Sequence, residues 1–332
     1  MNVALIACSN GLGHVRRCLV LSRELIRNNA NVTLFAPIKS VNKLTESIEE
    51  KRLSIIDFCT DTSIENLLDY NSTSWIKKLP NLSQYDIVVS DNLPEILYLR
   101  ADAWISGSFL WHESLINFPK EEKQRINHLI KDSKARLISS EILTPSYMHQ
   151  FENLHKVGLY SGSLRSKNCS PVAKKDLLIS IGLGGNLEFE IKKFIEKISI
   201  SKVVPYDTIW IEPRICPSNR PDWIKPATYS RNMYLSIVSA IIRPGVGTIS
   251  DCLYNYCKVF MFYEKGNMEM NSNANLLHKL ELGETCKSFQ DAWDKSLAYS
   301  SNKKMINHFE NLAAEINFDG AQESVKILLG HY

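Results

Sequence analysis

At 332 residues the chain is long enough for two domains, each able to bury its own core. Its 44% hydrophobic and 23% charged residues are those of an ordinary globular protein, and a net charge of +3 is too small to mark a nucleic-acid binder. No apolar run reaches the ~18 residues of a spanning helix, the opening MNVALIACSNG reads as a first strand rather than a signal peptide, and eight cysteines without a C-x-x-C pair fit a reduced, cytoplasmic compartment.

In chain order, short apolar runs bounded by turn signals predict strands over Val3–Ala7, Asn31–Ala36, Leu53–Phe58, Asp86–Ser90, Trp104–Gly107 and Ala135–Ser139. Helical spacing fills 14–28, 40–51 and 118–132. The poorly structured stretch 159–175 is the natural linker, and a second series follows: strands Asp176–Ile181, Thr208–Ile211, Ala240–Ile242 and Val259–Tyr263, with helices over 186–198, 248–256 and 270–281. Two further amphipathic helices meet at Asp319-Gly320. Strands alternating with helices predict parallel sheets covered on both faces, hence an α/β chain of two Rossmann-like domains, 1–160 and 161–310, with a C-terminal helix in 311–332. Each half puts a glycine-rich turn after its first strand. Two such sheets facing each other make a cleft, and sheets of this kind bind ligands beyond the carboxyl ends of their strands.

Three turns carry the chemistry. In CSNGLGHVRRC, Asn10, Gly11 and Gly13 form a tight strand-to-helix turn whose amides can face an anion. His14 at the helix start meets the positive end of the dipole, which favours the neutral imidazole a general base needs. Arg16 and Arg17 follow on what reads as a solvated helix face, within reach of a phosphate. In IGLGGN, Gly184 and Gly185 allow close backbone approach to a diphosphate and Asn186 can cap the next helix. In RPGVGTISD, Arg243 ends a strand, Gly245 and Gly247 form the loop, Thr248 and Ser250 offer hydroxyls, and Asp251 can accept from a ribose diol.

These pieces resemble the GT-B glycosyltransferases, close to the family-28 group that includes the peptidoglycan UDP-N-acetylglucosamine transferase. GLGHVRRCLVLSREL is similar to the family's G-x-G-H-x-x-R/P-x-L-x-L-A-x-x-L, IGLGGN to its second glycine loop, RPGVGTISD to R-S/P-G-x-x-T-x-x-E, and EMNSNA (269–274) to E/Q-Q-x-x-N-A, in the same order over about 10–285. The resemblance implies a nucleotide-diphosphate sugar, UDP-linked by family frequency, held by Gly13, Gly184, Gly185, Asn186, Arg243, Gly245, Gly247 and Thr248. Asp251 stands for the ribose-binding glutamate, and Glu269 and Asn273 for the residues that meet donor-sugar hydroxyls. The base would lie against 227–235, which includes Met233. Met270 and Tyr256 depart from the pattern, where the family has glutamine and glycine.

Related inverting enzymes pair such a histidine with an aspartate at a strand end. That implies His14 as the base that takes the acceptor's proton and Asp91, just past a strand, as its partner. Asn10, Arg17, Trp111, His112 and Glu113 fall on the acceptor side, the last three in a loop rich enough in apolar residues to meet a lipid-linked acceptor or a membrane surface. No D-x-D stands in these motifs, so no metal or other cofactor is expected: helix termini and Arg243 would neutralise the leaving diphosphate. The expected activity is inverting transfer of a sugar to a cell-surface glycan or lipid-linked acceptor, in the cytoplasm or at the inner face of the membrane. GLGHVRRCLVL is also similar to the UDP-sugar hydrolase of the pseudaminic-acid pathway, in which water replaces the acceptor, and a non-catalytic nucleotide-sugar-binding protein is a third alternative.

Overall fold

The computed structural model describes residues 1–44, 51–60, 72–115, 118–161, 174–182, 187–200, 205–264 and 266–330. The chain divides into two compact units, Met1–Tyr160 with Asn317–Tyr332, and Ser161–Ile316. No helix among the described residues is long and apolar enough to cross a membrane.

The first unit runs β1 (Asn2–Ile6), α1 (Leu12–Arg27), β2 (Asn31–Ala36), α2 (Ile38–Leu44), β3 (Leu53–Asp57), β4 (Ile87–Asp91), β5 (Trp104–Ser106), α3 (Trp111–Ser114), α4 (Lys120–Asp132), β6 (Arg136–Ser140) and β7 (Leu154–Val157). Its seven strands are all parallel, ordered β3-β2-β1-β4-β5-β6-β7. Alternate residues feed opposite faces. Ala4, Ile6, Phe35 and Leu137 enter one core, while Val3, Leu5, Leu34 and Ile138 enter the other beside Val15, Leu19 and Leu25 of α1. The order reverses between β1 and β4, where Ile6 pairs with Ser90, so the loops leaving these two strands diverge and leave a crevice.

The last helix, Gly320–Leu329, belongs to this unit and buries Val325 and Leu328 in the α1 core. Its start is pressed against the end of β7: a Cβ on Gly320 would lie 2.0 Å from the Gly158 carbonyl oxygen. Leu159 N donates to the Asn317 carbonyl at 2.9 Å, and Gly158 N to Glu323 Oε2 at 2.8 Å.

The second unit runs β8 (Asp176–Ser180), α5 (Glu188–Ser199), β9 (Ile209–Ile211), β10 (Ile224–Pro226), α6 (Arg231–Ser236), β11 (Ile237–Ile242), α7 (Val246–Tyr254), β12 (Lys258–Met261), α8 (Met268–Lys279), β13 (Gly283–Thr285), α9 (Phe289–Ser300) and α10 (Lys303–Ala314). Six parallel strands stand in the order β10-β9-β8-β11-β12-β13. The reversal here lies between β8 and β11, where Ser180 pairs with Ile242. Helix α10 stays in this unit, its Phe309 ring 6.2 Å from that of Tyr299, and the chain leaves only after Ile316.

Candidate functional site

The crevice of the first sheet is occupied by charged side chains. Gly11 adopts φ +89°, a region a side chain rarely tolerates, and so turns the chain from β1 into α1, which begins at Leu12. Gly11 itself is the N-cap and makes no side-chain cap; Asn10 is exposed beside it rather than capping. Ser9 and Thr60 hold this loop reciprocally, Ser9 N donating to Thr60 Oγ1 at 2.9 Å and Thr60 N to Ser9 Oγ at 2.8 Å. His14 and Arg17, one helical turn apart, then point at the end of β4.

Asp91 is the last residue of β4, not a turn residue beyond it, and is fully buried. Its Oδ1 lies 2.8 Å from His14 Nδ1, and its Oδ2 accepts from Arg17 Nε at 2.8 Å; Arg17 Nη2 also donates to Oδ1. Arg17 therefore does not lie on a solvated helix face: its side chain is 14% exposed and two guanidinium nitrogens are tied to the carboxylate. Burial alone would raise the Asp91 carboxyl, but the Arg17 guanidinium and His14 outweigh it and hold it below the ordinary carboxylate value. A carboxylate at 2.8 Å requires a donor, which assigns the His14 proton to Nδ1 and leaves Nε2 as the free lone pair.

The next residue locks the opposite wall. Asn92 has φ +59°, and its side-chain nitrogen donates to the Phe109 carbonyl at 2.8 Å and the Ser106 carbonyl at 3.3 Å. A Cβ on Gly107 would lie 2.5 Å from Asn92 Cγ, so the 107–109 loop can lie this close only without a side chain. That loop sets the rings of Phe109 and Trp111 at 6.3 and 5.9 Å from the His14 ring.

His112 and Glu113 turn elsewhere. His112 Nε2 lies 2.9 Å from Asn127 Oδ1, and Asn127 Nδ2 donates to Glu113 Oε1 at 2.8 Å, so both are fastened to α4. Burial pushes the His112 imidazole down, which keeps it neutral. Trp111 Nε1 and His112 Nδ1 are buried without a hydrogen-bond partner among the described residues.

The crevice of the second sheet is built mainly from backbone. Gly184, Gly185 and Asn186 lie outside the described residues. The amides that precede them are already engaged: Ile181 N and Gly182 N donate to Glu212 Oε2 at 2.9 and 2.8 Å. Glu212, buried just beyond β9, was not singled out from sequence. Its signal there was an acid closing the apolar run IWI ahead of Pro213. Arg214 Nη2 donates to the Gly182 carbonyl at 2.9 Å.

The loop after β11 is held by the two segments that follow β12. Arg243 Nε donates to Glu264 Oε2 at 2.9 Å, and Asn273 Nδ2 to the Pro244 carbonyl at 3.0 Å. Asn273 is therefore buried and anchors the loop through its amide. The Cβ positions of Gly13, Gly245 and Gly247 meet nothing within 4 Å. Gly245 caps α7, and Gly247 and Thr248 lie in its first turn. Ser250 is buried and donates back to the Val246 carbonyl at 2.8 Å, so its hydroxyl is not offered outward. Asp251 Oδ2 already has Tyr234 Oη at 3.5 Å. Met233 is buried in α6, its N–H capped by Ser230 Oγ at 3.3 Å, and Glu269 stands in the first turn of α8.

No protein-family model matches the chain, and no curated protein sequence matches it. Solved structures match it along its whole length. The glycotransferase of kitacinnamycin superposes with TM-score 0.68 at 12% identity, covering 99% of this chain and 98% of that one. LpCGTa in complex with UDP gives TM-score 0.68 at 14% identity over the same shares. Arabidopsis thaliana UGT89C1 complexed with quercetin gives 0.65 at 12%, again over 99% and 98%. Two parallel sheets, each with its strand order reversing about its first strand, are thus the fold this chain shares with the GT-B glycosyltransferases.

Proposed function

We propose that the chain is an inverting, metal-independent glycosyltransferase of the family-28 kind. It moves a sugar from a UDP-linked donor to a hydroxyl of a cell-surface glycan or lipid-linked acceptor at the cytoplasmic face of the membrane. The observation that carries this reading is the His14–Asp91 pair at the strand-order reversal of the first sheet. His14 Nε2 takes the acceptor proton as the acceptor oxygen attacks the anomeric carbon, and Asp91 orients the ring and stabilises the imidazolium. The diphosphate sits at the start of α7, with Arg243 meeting the charge that develops on the leaving oxygen. Asp251 takes the ribose, Glu269 the sugar hydroxyls, and the backbone around Met233 the base. Support for UDP comes from the nucleotide in the LpCGTa structure, and for a hydroxyl acceptor from the quercetin in that of UGT89C1.

The test is incubation with UDP-sugars, with and without cell-envelope extract. Sugar transfer that needs the extract is expected. Release of free sugar without acceptor would assign the same base to water and make the chain a hydrolase, and binding without turnover would make it a sensor. His14→Ala should lower turnover by ~10²–10⁴-fold and leave UDP affinity unchanged; turnover near that of the parent removes His14 from the mechanism.

A further inference from the structure

Asp91 accepts on both oxygens, and Arg17 reaches both of them, Nε to Oδ2 and Nη2 to Oδ1. This is the two-pronged pairing of a guanidinium with a carboxylate, a geometry lysine cannot copy. Arg17 Nη2 also stands 3.3 Å from His14 Nδ1. Because Nδ1 already carries the proton directed at Asp91, that approach sets donor against donor. It is a fixed positive charge beside the imidazole, not a bond.

We propose that Arg17 is a positioning residue for the base: its fork clamps both oxygens of Asp91, so that the carboxylate holds His14 with its proton on Nδ1. The proposal rests on the reading of His14 as the base. With both oxygens paired to the guanidinium the carboxylate has one orientation, and its hydrogen bond with Nδ1 fixes the tautomer that leaves Nε2 bare.

Thiols, a phenol and aromatic rings stand near the pair. On α1 the Cys18 thiol faces Asp91 Oδ2 at 3.7 Å, and burial beside that carboxylate pushes it well up. Cys8, at the end of β1, adds a second buried thiol near Cys18. Tyr160, following β7, lies near Arg17; burial raises its hydroxyl to about 12, and it meets Ser324 Oγ of the last helix at 2.5 Å. The raised Cys18 thiol and Tyr160 hydroxyl are neutral at pH 7, and Phe109 and Trp111 add uncharged rings. Burial works against the Arg17 cation, but Asp91 outweighs it and Arg17 stays charged.

The experiment follows the imidazole nitrogens of His14 by 15N NMR across pH in the full chain, in the parent, Arg17→Met and Arg17→Lys, alongside the pH profile of sugar release. The parent should show Nδ1 protonated and Nε2 bare. In Arg17→Met the carboxylate loses both guanidinium contacts, and the His14 tautomer signals should become mixed. Arg17→Lys keeps a charge without the fork, so its tautomer signals should become mixed as well. An unmixed Nδ1–H tautomer in Arg17→Met overturns the proposal; where that variant does not fold, an unmixed Nδ1–H tautomer in Arg17→Lys overturns the clamp. The nitrogen signals are read without turnover. A parent that shows them but transfers no sugar would sink the transferase reading and leave this inference standing.

Discussion

The two sheets reverse their strand order at equivalent places, and each has a buried carboxylate at a nearby strand end. Asp91 closes β4 at the reversal itself, whereas Glu212 follows β9, on the other side of β8, and the two acids hold different partners. Asp91 accepts from side chains, His14 and Arg17, both of which carry or can carry charge. Glu212 accepts from the backbone amides of Ile181 and Gly182. The first crevice thereby holds titratable side chains in mutual contact, and in the second an acid fixes the path of the chain through two backbone amides. Topology supplies the place, and the residues at the strand ends decide what stands there.

The sharpest way to break this contrast is to delete each acid. Asp91→Ala leaves the Arg17 guanidinium largely buried with its partner gone, and loss of one member of such a pair costs about 3–5 kcal/mol. Urea denaturation should show that fall; a loss under 1 kcal/mol would mean that Arg17 reaches solvent freely and the pair is superficial. Glu212→Ala strands two backbone donors, neutral groups, at about 1–3 kcal/mol for an unsatisfied site. UDP binding should weaken in the Glu212 variant, because the loop loses its anchor, and hold in the Asp91 variant. The reverse pattern of binding would invert the roles assigned to the two crevices.

How much of this was legible in the sequence follows the same division. Buried central strands announced themselves as apolar runs, and Asn31–Ala36 begins and ends where the pattern places it. The strands that escaped notice are β7, β10 and β13, each at a sheet edge and three or four residues long. IKP ends in proline and has two exposed residues, so it carries no period to read. Helix α9 was also missed. His14 and Asp91 were paired through the family resemblance, which sets such a histidine with a strand-end aspartate; the strand order that brings β1 and β4 together is not written in the sequence. Arg17 was not legible: an arginine beside another arginine on an amphipathic helix reads as solvated, and only a buried acid 74 residues away turns it inward. Glu212 and Glu264 escaped for the same reason, since a lone acid in a loop shows nothing of the amides or guanidinium that it will meet in space.

A smaller effect separates the crevices by pH. The folded Asp91 carboxyl titrates below its unfolded value of 3.8, so the unfolded chain binds more protons in that window and stability rises with pH across it. The contribution is fully present above the unfolded value and is lost as pH falls through the lowered folded one. The urea midpoint of the parent should therefore drop between pH 5 and pH 3, and Asp91→Asn should remove that part of the slope. A parent and variant with the same slope would mean that the carboxylate is not held ionised by its neighbours.

The smallest expected effect tests the binding side. Asp251 is buried in α7 with Tyr234 Oη at 3.5 Å, a long contact. If the carboxylate also accepts from a ribose hydroxyl, Asp251→Ala removes one hydrogen bond to a charged group, about 1.5–3 kcal/mol, or a ten- to hundredfold rise in the Kd for UDP. Tyr234→Phe serves as the control, because it removes the long internal contact while keeping the acid, and should leave UDP affinity within threefold. Loss of affinity in the tyrosine variant equal to that in the aspartate variant would show that Asp251 acts by holding α6 against α7, and would move the ribose to another residue of the second crevice.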